Sequence, residues 1–189
     1  MKPSLIIAGL GNPGANYART RHNAGFQALD VLSQSFGQAD WKEEGRFHAG
    51  TQQARVVTFP VLLVKPLLFM NRSGEVLRKI VDFYKLDLAH QLLVISDDVD
   101  VGLGNYRFRE KGGPGTHNGL KSVVEQFGEG FARIRIGLGT APAGSDLSNW
   151  VLSVPTAAED IELAKVFAQL PEVIRAYVLD GEGQPGHAD

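Results

Sequence analysis

Residues 5–25 read LIIAGLGNPGANYARTRHNAG, and the architecture of the whole chain follows from this stretch. Residues 5–8 form a short stretch that is apolar throughout, which is typical of a buried strand. The glycines and the proline that follow must end this strand. The next loop therefore leaves the carboxyl end of this strand, and it carries Asn12, Tyr17 and His22. In open α/β sheets ligands bind at that edge, because its loops carry polar groups while the sheet beneath stays rigid. We therefore predict that this loop forms one half of a functional site.

The composition of the 189-residue chain is that of an ordinary globular protein, with 43% apolar and 21% charged residues. A chain of this length buries roughly 70% of its unfolded surface, so it needs no disulfide or metal to hold a core. The absence of cysteine excludes a thiol nucleophile and thiolate metal sites, and it suits a reducing cytoplasm. Because the net charge is only -2, any surface for nucleic acid has to come from local clustering of basic residues.

The rest of the chain alternates predicted strands and helices. The predicted strands cover residues 61–64, 92–95 and 133–138, and a hairpin of two short strands is predicted around Gly50 within residues 47–58. The predicted helices cover about residues 23–36, 76–84 and 157–179, and a further helix opens within residues 111–121 and runs to about residue 127. A loop covers residues 140–148. This alternation predicts an α/β protein, a single three-layer domain over residues 1–180 with a mixed, mostly parallel central sheet flanked by helices. We expect residues 181–189 to form a disordered tail, and no stretch is apolar enough to span a membrane.

Sequence signatures of several enzyme classes are missing from the chain. It contains no G-x-S-x-G, H-E-x-x-H or G-x-x-x-x-G-K-[ST] motif. The chain therefore lacks the usual sequence signatures of nucleophile-elbow hydrolases, zincins and P-loop enzymes. The polar side chains at predicted strand ends are Asn12, His22, Asn71, Asp97 and Asn118. A histidine with a carboxylate partner and several carboxamides, without an evident nucleophile, is suited to activating water. The histidine accepts the water proton, the carboxylate orients the histidine, and the amides position the substrate or stabilise an oxyanion.

The position of His22 gives a second reason to choose it as the base. His22 lies at or just before the first turn of the helix predicted over residues 23–36, and the dipole of that helix lowers the pKa of an imidazole from its usual value of about 6.5. A nearby Asp97 carboxylate raises the pKa. We expect these opposed shifts to leave His22 as a base near neutral pH, a role worth roughly 10² to 10⁴ in rate.

Four separated motifs follow one another along the chain. They are G-L-G-N-P-G-x-x-Y-x-x-T-R-H-N-x-G at residues 9–25, K-P-x-x-x-M-N-x-S-G at 65–74, D-D-x-D at 97–100 and G-x-H-N-G-L-K-S at 115–122. Over nearly its whole length the chain resembles the bacterial peptidyl-tRNA hydrolase family. The resemblance implies an esterase that cleaves the bond between a peptide and the 3′-terminal ribose of tRNA, with no covalent intermediate, metal or cofactor. It also implies a cytoplasmic monomer without a membrane or obligate protein partner.

The resemblance also implies roles for individual residues. His22 is expected to be the general base, and Asp97 the carboxylate that orients it. Asn12 and Asn71 are expected to hold the peptide and the attacking water, and Asn118 to position water or support the oxyanion. The expected substrate contacts along the cleft are Tyr17, Met70, Asn71, His117 and Asn118. The expected contacts to tRNA phosphates are Arg107, Arg109, Lys111, His117, Lys121 and Arg133.

Local sequence offers simpler roles for several of these side chains. Asn12 stands next to a proline and a glycine, so turn formation alone could explain it. His22, Asn71 and Asn118 each stand where a helix cap is expected, and Ser73 is an alternative cap to Asn71. These structural roles remain open at the level of sequence.

Charged residues near the predicted strands leave two further choices open. Three acidic residues follow the strand over residues 92–95, and only the register of the motif favours Asp97 over Asp98 and Asp100. The basic residues within 107–111 occupy alternate positions, so they share one face of a strand. That face could be an ordinary solvated surface.

Two other functions fit parts of the sequence. Gly9, Gly11 and Gly14 match the G-x-G-x-x-G pattern of dinucleotide-binding oxidoreductases. However, Pro13 and about eight further irregular residues separate them from the helix, which in that fold starts inside the motif. The second alternative is a non-enzymatic RNA-binding protein on the same scaffold. Binding alone would not require a base with its carboxylate partner, so the polar residues at the strand ends argue against it.

Overall fold

A computed structural model describes residues 2–180 of the chain. Its strands are β1 (Leu5–Gly9), β2 (Lys42–Glu44), β3 (Ala49–Val56), β4 (Phe59–Pro66), β5 (Leu92–Asp98), β6 (Tyr106–Arg109) and β7 (Ala132–Gly137). Its helices are α1 (Ala24–Phe36), α2 (Ser73–Tyr84), α3 (Leu88–Gln91), α4 (Asn118–Phe127), α5 (Leu147–Val151) and α6 (Ala157–Asp180). Short 3₁₀ turns, Arg21–Asn23 and Met70–Arg72, lead into α1 and α2.

The strands within the described residues form one sheet in the order β2-β3-β4-β1-β5-β7-β6. The four central strands β4, β1, β5 and β7 are parallel, whereas the pairs β2–β3, β3–β4 and β6–β7 are antiparallel. The predicted α/β architecture with a mixed sheet flanked by helices is therefore confirmed. Among residues 2–180, no helix is both long enough and apolar enough to cross a bilayer.

Alternate residues of the central strands belong to two separate hydrophobic cores, one on each face of the sheet. On β1, Leu5 and Ile7 pack with α1 and α6, whereas Ile6 and Ala8 pack with α2 and α4. A strand buried on both faces needs an apolar residue at every position. This requirement explains the unbroken apolar run in residues 5–8.

The functional edge of the sheet lies where β1 and β5 end. The chain leaves β1 through α1 toward β4, and it leaves β5 through α4 toward β7, on the other side of β5. The carboxyl ends of β1 and β5 therefore form a topological switch point, where open α/β folds bind their ligands. His22 follows β1 and Asp97 lies at the end of β5, so both residues belong to this edge.

A close contact between backbones holds α1 against this edge. A Cβ atom on Gly25 would lie 2.4 Å from the backbone N of Leu10 and 2.5 Å from the carbonyl O of Ile95. A Cβ atom on Gly9 would lie 2.2 Å from the carbonyl O of Gly25. Only glycine allows two backbones to approach this closely. The first turn of α1 therefore rests directly on the residue that follows β1 and on Ile95 of β5, and it holds the preceding turn with His22 beside β5.

The hairpin predicted around Gly50 is wrong. Gly50 lies inside β3 and pairs with Lys65 of β4, and the turn between the two strands is at Val57 and Thr58. Val57 has a φ of 54°, a left-handed conformation that β-branched residues rarely adopt. Because this turn contains no glycine, proline or asparagine, the sequence lacks the usual hairpin signal. The predicted tail, residues 181–189, lies outside the described residues.

Candidate active site

A cleft of about 310 Å³ opens at the carboxyl edge of the sheet, between the segments that follow β1, β4 and β5. Its polar lining includes Asn12, His22, Asn71, Asp97, His117 and Asn118. Its apolar lining includes Phe69, Met70, Val99, Leu147, Val151 and Leu152. The five residues predicted to be catalytic are widely separated in sequence, and the fold brings all of them to this one cleft.

His22 and Asp97 form the central pair of the cleft. Nδ1 of His22 lies 3.0 Å from each carboxylate oxygen of Asp97, whose side chain is only 2% exposed. A carboxylate beside Nδ1 favours the tautomer with its proton on Nδ1, so Nε2 is the basic nitrogen of His22. His22 is not a helix cap, because Thr20 occupies the cap position of its 3₁₀ turn and Asn23 occupies that of α1.

Burial and hydrogen bonding act in opposite directions on this pair. Burial alone would raise the pKa of Asp97, but the interactions with its two histidine partners, His117 and His22, outweigh burial and hold the pKa of that carboxyl well below its usual range. Burial lowers the pKa of His22, whereas the charge and hydrogen bond of Asp97 raise it, and the net pKa lies above 6.5. Asp97 therefore stays ionised at neutral pH, and His22 is a stronger base than free imidazole.

His117 contacts the same carboxylate from the N-terminus of α4. Its Nε2 lies 2.8 Å from Oδ1 of Asp97. Its Nδ1 accepts a 3.2 Å hydrogen bond from the backbone N–H of Leu120, and this bond caps α4. His117 thus holds the cap position that Asn118 could have held. We call His22, Asp97 and His117 the histidine–aspartate cluster.

The histidine–aspartate cluster also has the residue types of a metal site. Each member offers one ligand atom, and these atoms lie within 4.8 Å of one another. A metal ion would need lone pairs on Nδ1 of His22 and on Nε2 of His117. Both nitrogens already face the Asp97 carboxylate at hydrogen-bond distance, which requires a proton on each of them. The geometry therefore fits a hydrogen-bonded chain rather than a metal centre.

Asn12 is held in one orientation by two other segments. Its Oδ1 accepts a 2.8 Å hydrogen bond from the backbone N–H of Met70. The side chain of Asn23 brackets its backbone, accepting from the Asn12 N–H and donating to the Asn12 carbonyl at 2.9 Å each. Because Oδ1 is occupied, the amide group offers its N–H donors to the cleft that Asn12 lines. Turn formation alone does not account for this residue.

Other predicted substrate contacts lie on the cleft or beside it. Asn71 is in the 3₁₀ turn before α2, Asn118 is the first residue of α4, and both are exposed on the cleft. Asn71 is not a cap, because Arg72 occupies that position of α2. Tyr17 is not among the lining residues. Its ring packs edge-on against Phe69 with 6.2 Å between centroids, so Tyr17 supports the cleft wall through Phe69.

Four basic residues predicted to contact tRNA remain accessible. Arg109, Lys111 and Lys121 are exposed, and Arg107 is half-buried. Arg107 and Arg109 occupy alternate positions on β6, the edge strand of the sheet, so their side chains share a face. These four residues are available to an anionic partner.

Arg133 lies in the interior, which corrects the prediction that it contacts a tRNA phosphate. It is fully buried, and its guanidinium donates to the carbonyl oxygens of Gly112, Gly113, Glu129 and Phe131. Arginine and isoleucine alternate along β7, a pattern typical of a half-exposed strand, but the loop with Gly112 and Gly113 covers Arg133. Burial lowers the pKa of Arg133 to about 10, which still leaves it charged at neutral pH.

The sequence does not indicate that an arginine lines the cleft. Arg135 donates to Asp98 at 2.9 Å and also to the carbonyl of Gly113, and both members of the ion pair line the cleft. The backbone N–H of Asp100 donates to the same Asp98 carboxylate at 2.8 Å. The three acidic residues are therefore distinct, since Asp97 binds histidines and Asp98 binds arginine. The only sequence signal for Arg135 is its alternation along β7.

Comparisons with known proteins agree with the motifs and the cleft. The sequence model of the family described as peptidyl-tRNA hydrolase matches residues 6–185. The peptidyl-tRNA hydrolase of Chloroflexus aggregans is 40% identical over 177 residues, 93% of each chain. That of Thermotoga maritima is 40% identical over 178 residues, 94% of this chain and 92% of the relative. A crystal structure of peptidyl-tRNA hydrolase from Acinetobacter baumannii superposes with a TM-score of 0.89 at 31% identity, covering 96% of this chain and 91% of that chain. The chain therefore belongs to the peptidyl-tRNA hydrolase family.

Proposed function

We propose that the chain hydrolyses the ester between the peptide and the 3′-terminal ribose of peptidyl-tRNA, with His22 as general base and without a covalent intermediate. The observation that carries this mechanism is the contact of Nδ1 of His22 with the buried Asp97 carboxylate, which leaves the basic Nε2 to the cleft. Membership of the family supports the choice of substrate. The volume of the cleft, about 310 Å³, suits the end of a substrate rather than a whole macromolecule.

The proposed reaction begins with proton transfer from water. Nε2 of His22 takes a proton as the water oxygen attacks the ester carbonyl carbon, and Asp97 stabilises the resulting imidazolium. The carbonyl oxygen becomes an oxyanion on a tetrahedral carbon. When this intermediate collapses, the bond to the ribose oxygen breaks, and the imidazolium returns its proton to that oxygen. The products are tRNA with its terminal hydroxyl restored and a peptide with a free carboxyl group.

Amide donors complete the proposed site. Asn12 presents N–H groups because Met70 occupies its carbonyl oxygen, so Asn12 is suited to bind a carbonyl or oxyanion oxygen of the peptide. Asn71 and Asn118 line the same cleft with exposed carboxamides, which can donate and accept. We assign Asn71 to the peptide and the attacking water, and Asn118 to water or the oxyanion. The apolar lining around Phe69 would receive side chains of the peptide.

Asn12→Asp is expected to lower kcat/KM about 10²- to 10³-fold. The new carboxylate still accepts from the Met70 N–H, but it has no N–H to offer and places negative charge beside the developing oxyanion. The measurement is steady-state hydrolysis of an N-acetyl-aminoacyl-tRNA. Asn16→Asp is the matched control, because Asn16 is exposed on the same loop and does not line the cleft. An equal loss in both variants would contradict the assigned role.

The rate of hydrolysis is expected to fall on acidification with a midpoint above pH 6.5, because protonated His22 cannot accept a proton from water. The raised pKa of His22 places its neutral, active form on the alkaline side of the midpoint. The check is kcat/KM as a function of pH, with tRNA affinity followed under the same conditions. A profile that stays flat down to pH 6.5, or an acid limb in tRNA affinity alone, would contradict this assignment.

We further infer that Arg107, Arg109, Lys111 and Lys121 contact the tRNA backbone. Their charge and accessibility support this inference, since phosphate contacts provide most of the sequence-independent affinity for nucleic acid. We also infer that the protein acts in the cytoplasm as a monomer. The five side chains assigned to the reaction all belong to one chain and meet in one cleft, so the proposed chemistry does not need a second subunit.

The two rival functions make different demands on the site. A dinucleotide site needs a helix that starts inside the glycine motif, whereas α1 begins at Ala24, well beyond Gly14. An RNA-binding protein without activity needs no base. The deciding experiment incubates the protein with N-acetyl-aminoacyl-tRNA and measures the released N-acetyl amino acid and, separately, the affinity for tRNA. We expect many turnovers per protein molecule. Tight binding of tRNA without release would overturn the enzymatic proposal.

A further inference from the structure

Both ring nitrogens of His117 are engaged, and their partners differ in kind. Nδ1 faces the backbone N–H of Leu120 at 3.2 Å, and Nε2 faces Oδ1 of Asp97 at 2.8 Å. A backbone N–H can only donate, so Nδ1 must carry a lone pair. The ring proton of His117 then sits on Nε2 and is donated to the carboxylate. The side chain is 8% exposed, so water offers little competition for either bond.

The hydrogen bonds of His22 differ from those of His117, because only one of its two ring nitrogens has a partner. Its Nδ1 faces both oxygens of Asp97 at 3.0 Å, and its Nε2 has no hydrogen-bond partner among residues 2–180. The two imidazoles share one carboxylate, with ring centroids 4.7 Å apart. Of the two rings, only His22 therefore has a nitrogen free to take a proton from water in the cleft.

Protonation of His117 would disrupt the start of α4. A proton on Nδ1 would oppose the Leu120 N–H and remove the side-chain cap of the helix. The positive end of the helix dipole also disfavours a cation at this position. The remaining charged groups that line the cleft are Asp98, Asp100 and Arg135, and Arg135 is paired with Asp98 at 2.9 Å. The Leu120 N–H thus places the lone pair of His117 on Nδ1 and its ring proton on Nε2, facing the carboxylate.

We propose that His117 is a positioning residue for Asp97. The α4 cap fixes the lone pair of His117 on Nδ1 and its proton on Nε2, which donates to Asp97, so that His22 is the only base of the histidine–aspartate cluster. This role rests on the proposed function of His22, and it differs from direct contact with substrate or tRNA phosphate. The Nε2–H bond fixes the carboxylate against rotation and takes up part of its charge. Both effects keep Asp97 aligned with Nδ1 of His22.

The first test is spectroscopic and uses the intact, ¹⁵N-labelled protein. Long-range ¹H–¹⁵N correlation spectra distinguish protonated from unprotonated ring nitrogens of each histidine, and His117→Asn identifies the His117 signals. We expect His117 to show an unprotonated Nδ1 and a protonated Nε2 at neutral pH. A protonated Nδ1 on His117, alone or together with Nε2, would overturn the proposal.

Two substitutions separate the two hydrogen bonds of His117. His117→Asn places an amide oxygen near the position of Nδ1, where it can still cap Leu120, but its side chain is too short to donate to Asp97. His117→Gln can donate to Asp97 from its own Nε2 but loses the cap. We expect His117→Asn to keep Tm, to lower kcat about tenfold with KM unchanged, and to shift the acid limb of the rate to higher pH, because Asp97 then acts more strongly on His22. His117→Gln should lower Tm and keep the acid limb.

The outcomes distinguish this role from the others. If His117 were an imidazolium, both neutral variants would shift the acid limb upward together, and if it bound substrate, both would raise KM. Either result would overturn the proposal. The spectra and Tm values do not require turnover, so they decide the state of His117 even if the intact protein releases no product. Failure of the proposed function would appear instead as absent hydrolysis by the intact protein.

Discussion

His22→Ala should lower kcat/KM by about 10² to 10⁴ while tRNA affinity stays within error of the unsubstituted protein. The substitution removes the ring nitrogen that accepts the water proton, and it leaves the exposed basic residues near β6 and α4 unchanged. The measurements are release of N-acetyl amino acid from N-acetyl-aminoacyl-tRNA and a separate titration of tRNA binding. We expect little change in Tm, since His22 lines the cleft and belongs to neither hydrophobic core.

His90→Ala is the control for this substitution, because His90 is exposed in α3 and does not line the cleft. It should retain full activity. Two results would count against His22 as the base. One is hydrolysis by His22→Ala at more than about a tenth of the normal rate. The other is a loss of activity that follows a matching loss of tRNA affinity.

Asp97→Asn is the second substitution with a large expected effect, a loss of about two to four orders of magnitude in kcat. The amide keeps the shape of the side chain but removes the charge that stabilises the imidazolium of His22. Burial then lowers the pKa of His22 without the opposing charge of Asp97. The pKa of His22 should therefore fall below 6.5, and the acid limb of the rate should move to lower pH. The measurement is kcat/KM against pH for the variant and the unsubstituted protein.

The neighbouring carboxylate supplies the control for Asp97→Asn. Asp98→Asn removes the partner of Arg135 but leaves the histidine–aspartate cluster intact. Its effect should be smaller, and the acid limb should stay in place. The assignment of Asp97 fails if the two amide variants lose equal activity or if Asp98→Asn alone moves the acid limb.

Helices and strands were predictable from the sequence wherever their burial requires apolar residues at a regular spacing. A strand that is buried on both faces shows an apolar run, as in residues 5–8, and a helix that is buried on one face shows a helical period, as in residues 24–36. The β3–β4 hairpin escaped prediction because Val57 takes a left-handed conformation without a residue type that favours it. Gly50, which resembles a turn residue, lies within a strand.

The roles of single polar residues were harder to predict from the sequence. Next to a proline and a glycine, Asn12 fits a turn, yet its amide is held by the backbone of Met70, 58 positions away in the sequence. Asn118 fits a cap, yet His117 holds that position and uses its other nitrogen to reach Asp97. Contacts between residues so far apart leave no local signature. The sequence pointed to these side chains through their place at predicted strand ends and through the order of the four motifs.

Apolar runs, helical periods and motif order were therefore sufficient for the α/β class, the family and the choice of His22 as base. The packed chain was needed to separate Asp97, which binds the two histidines, from Asp98, which binds Arg135, and to show that Arg133 is buried. The physical reason is that periodicity records which face of a strand is apolar, but it does not record which distant segment covers the polar face. On β7 the covering segment is the loop with Gly112 and Gly113. This loop buries Arg133, and its carbonyl groups accept hydrogen bonds from the guanidinium.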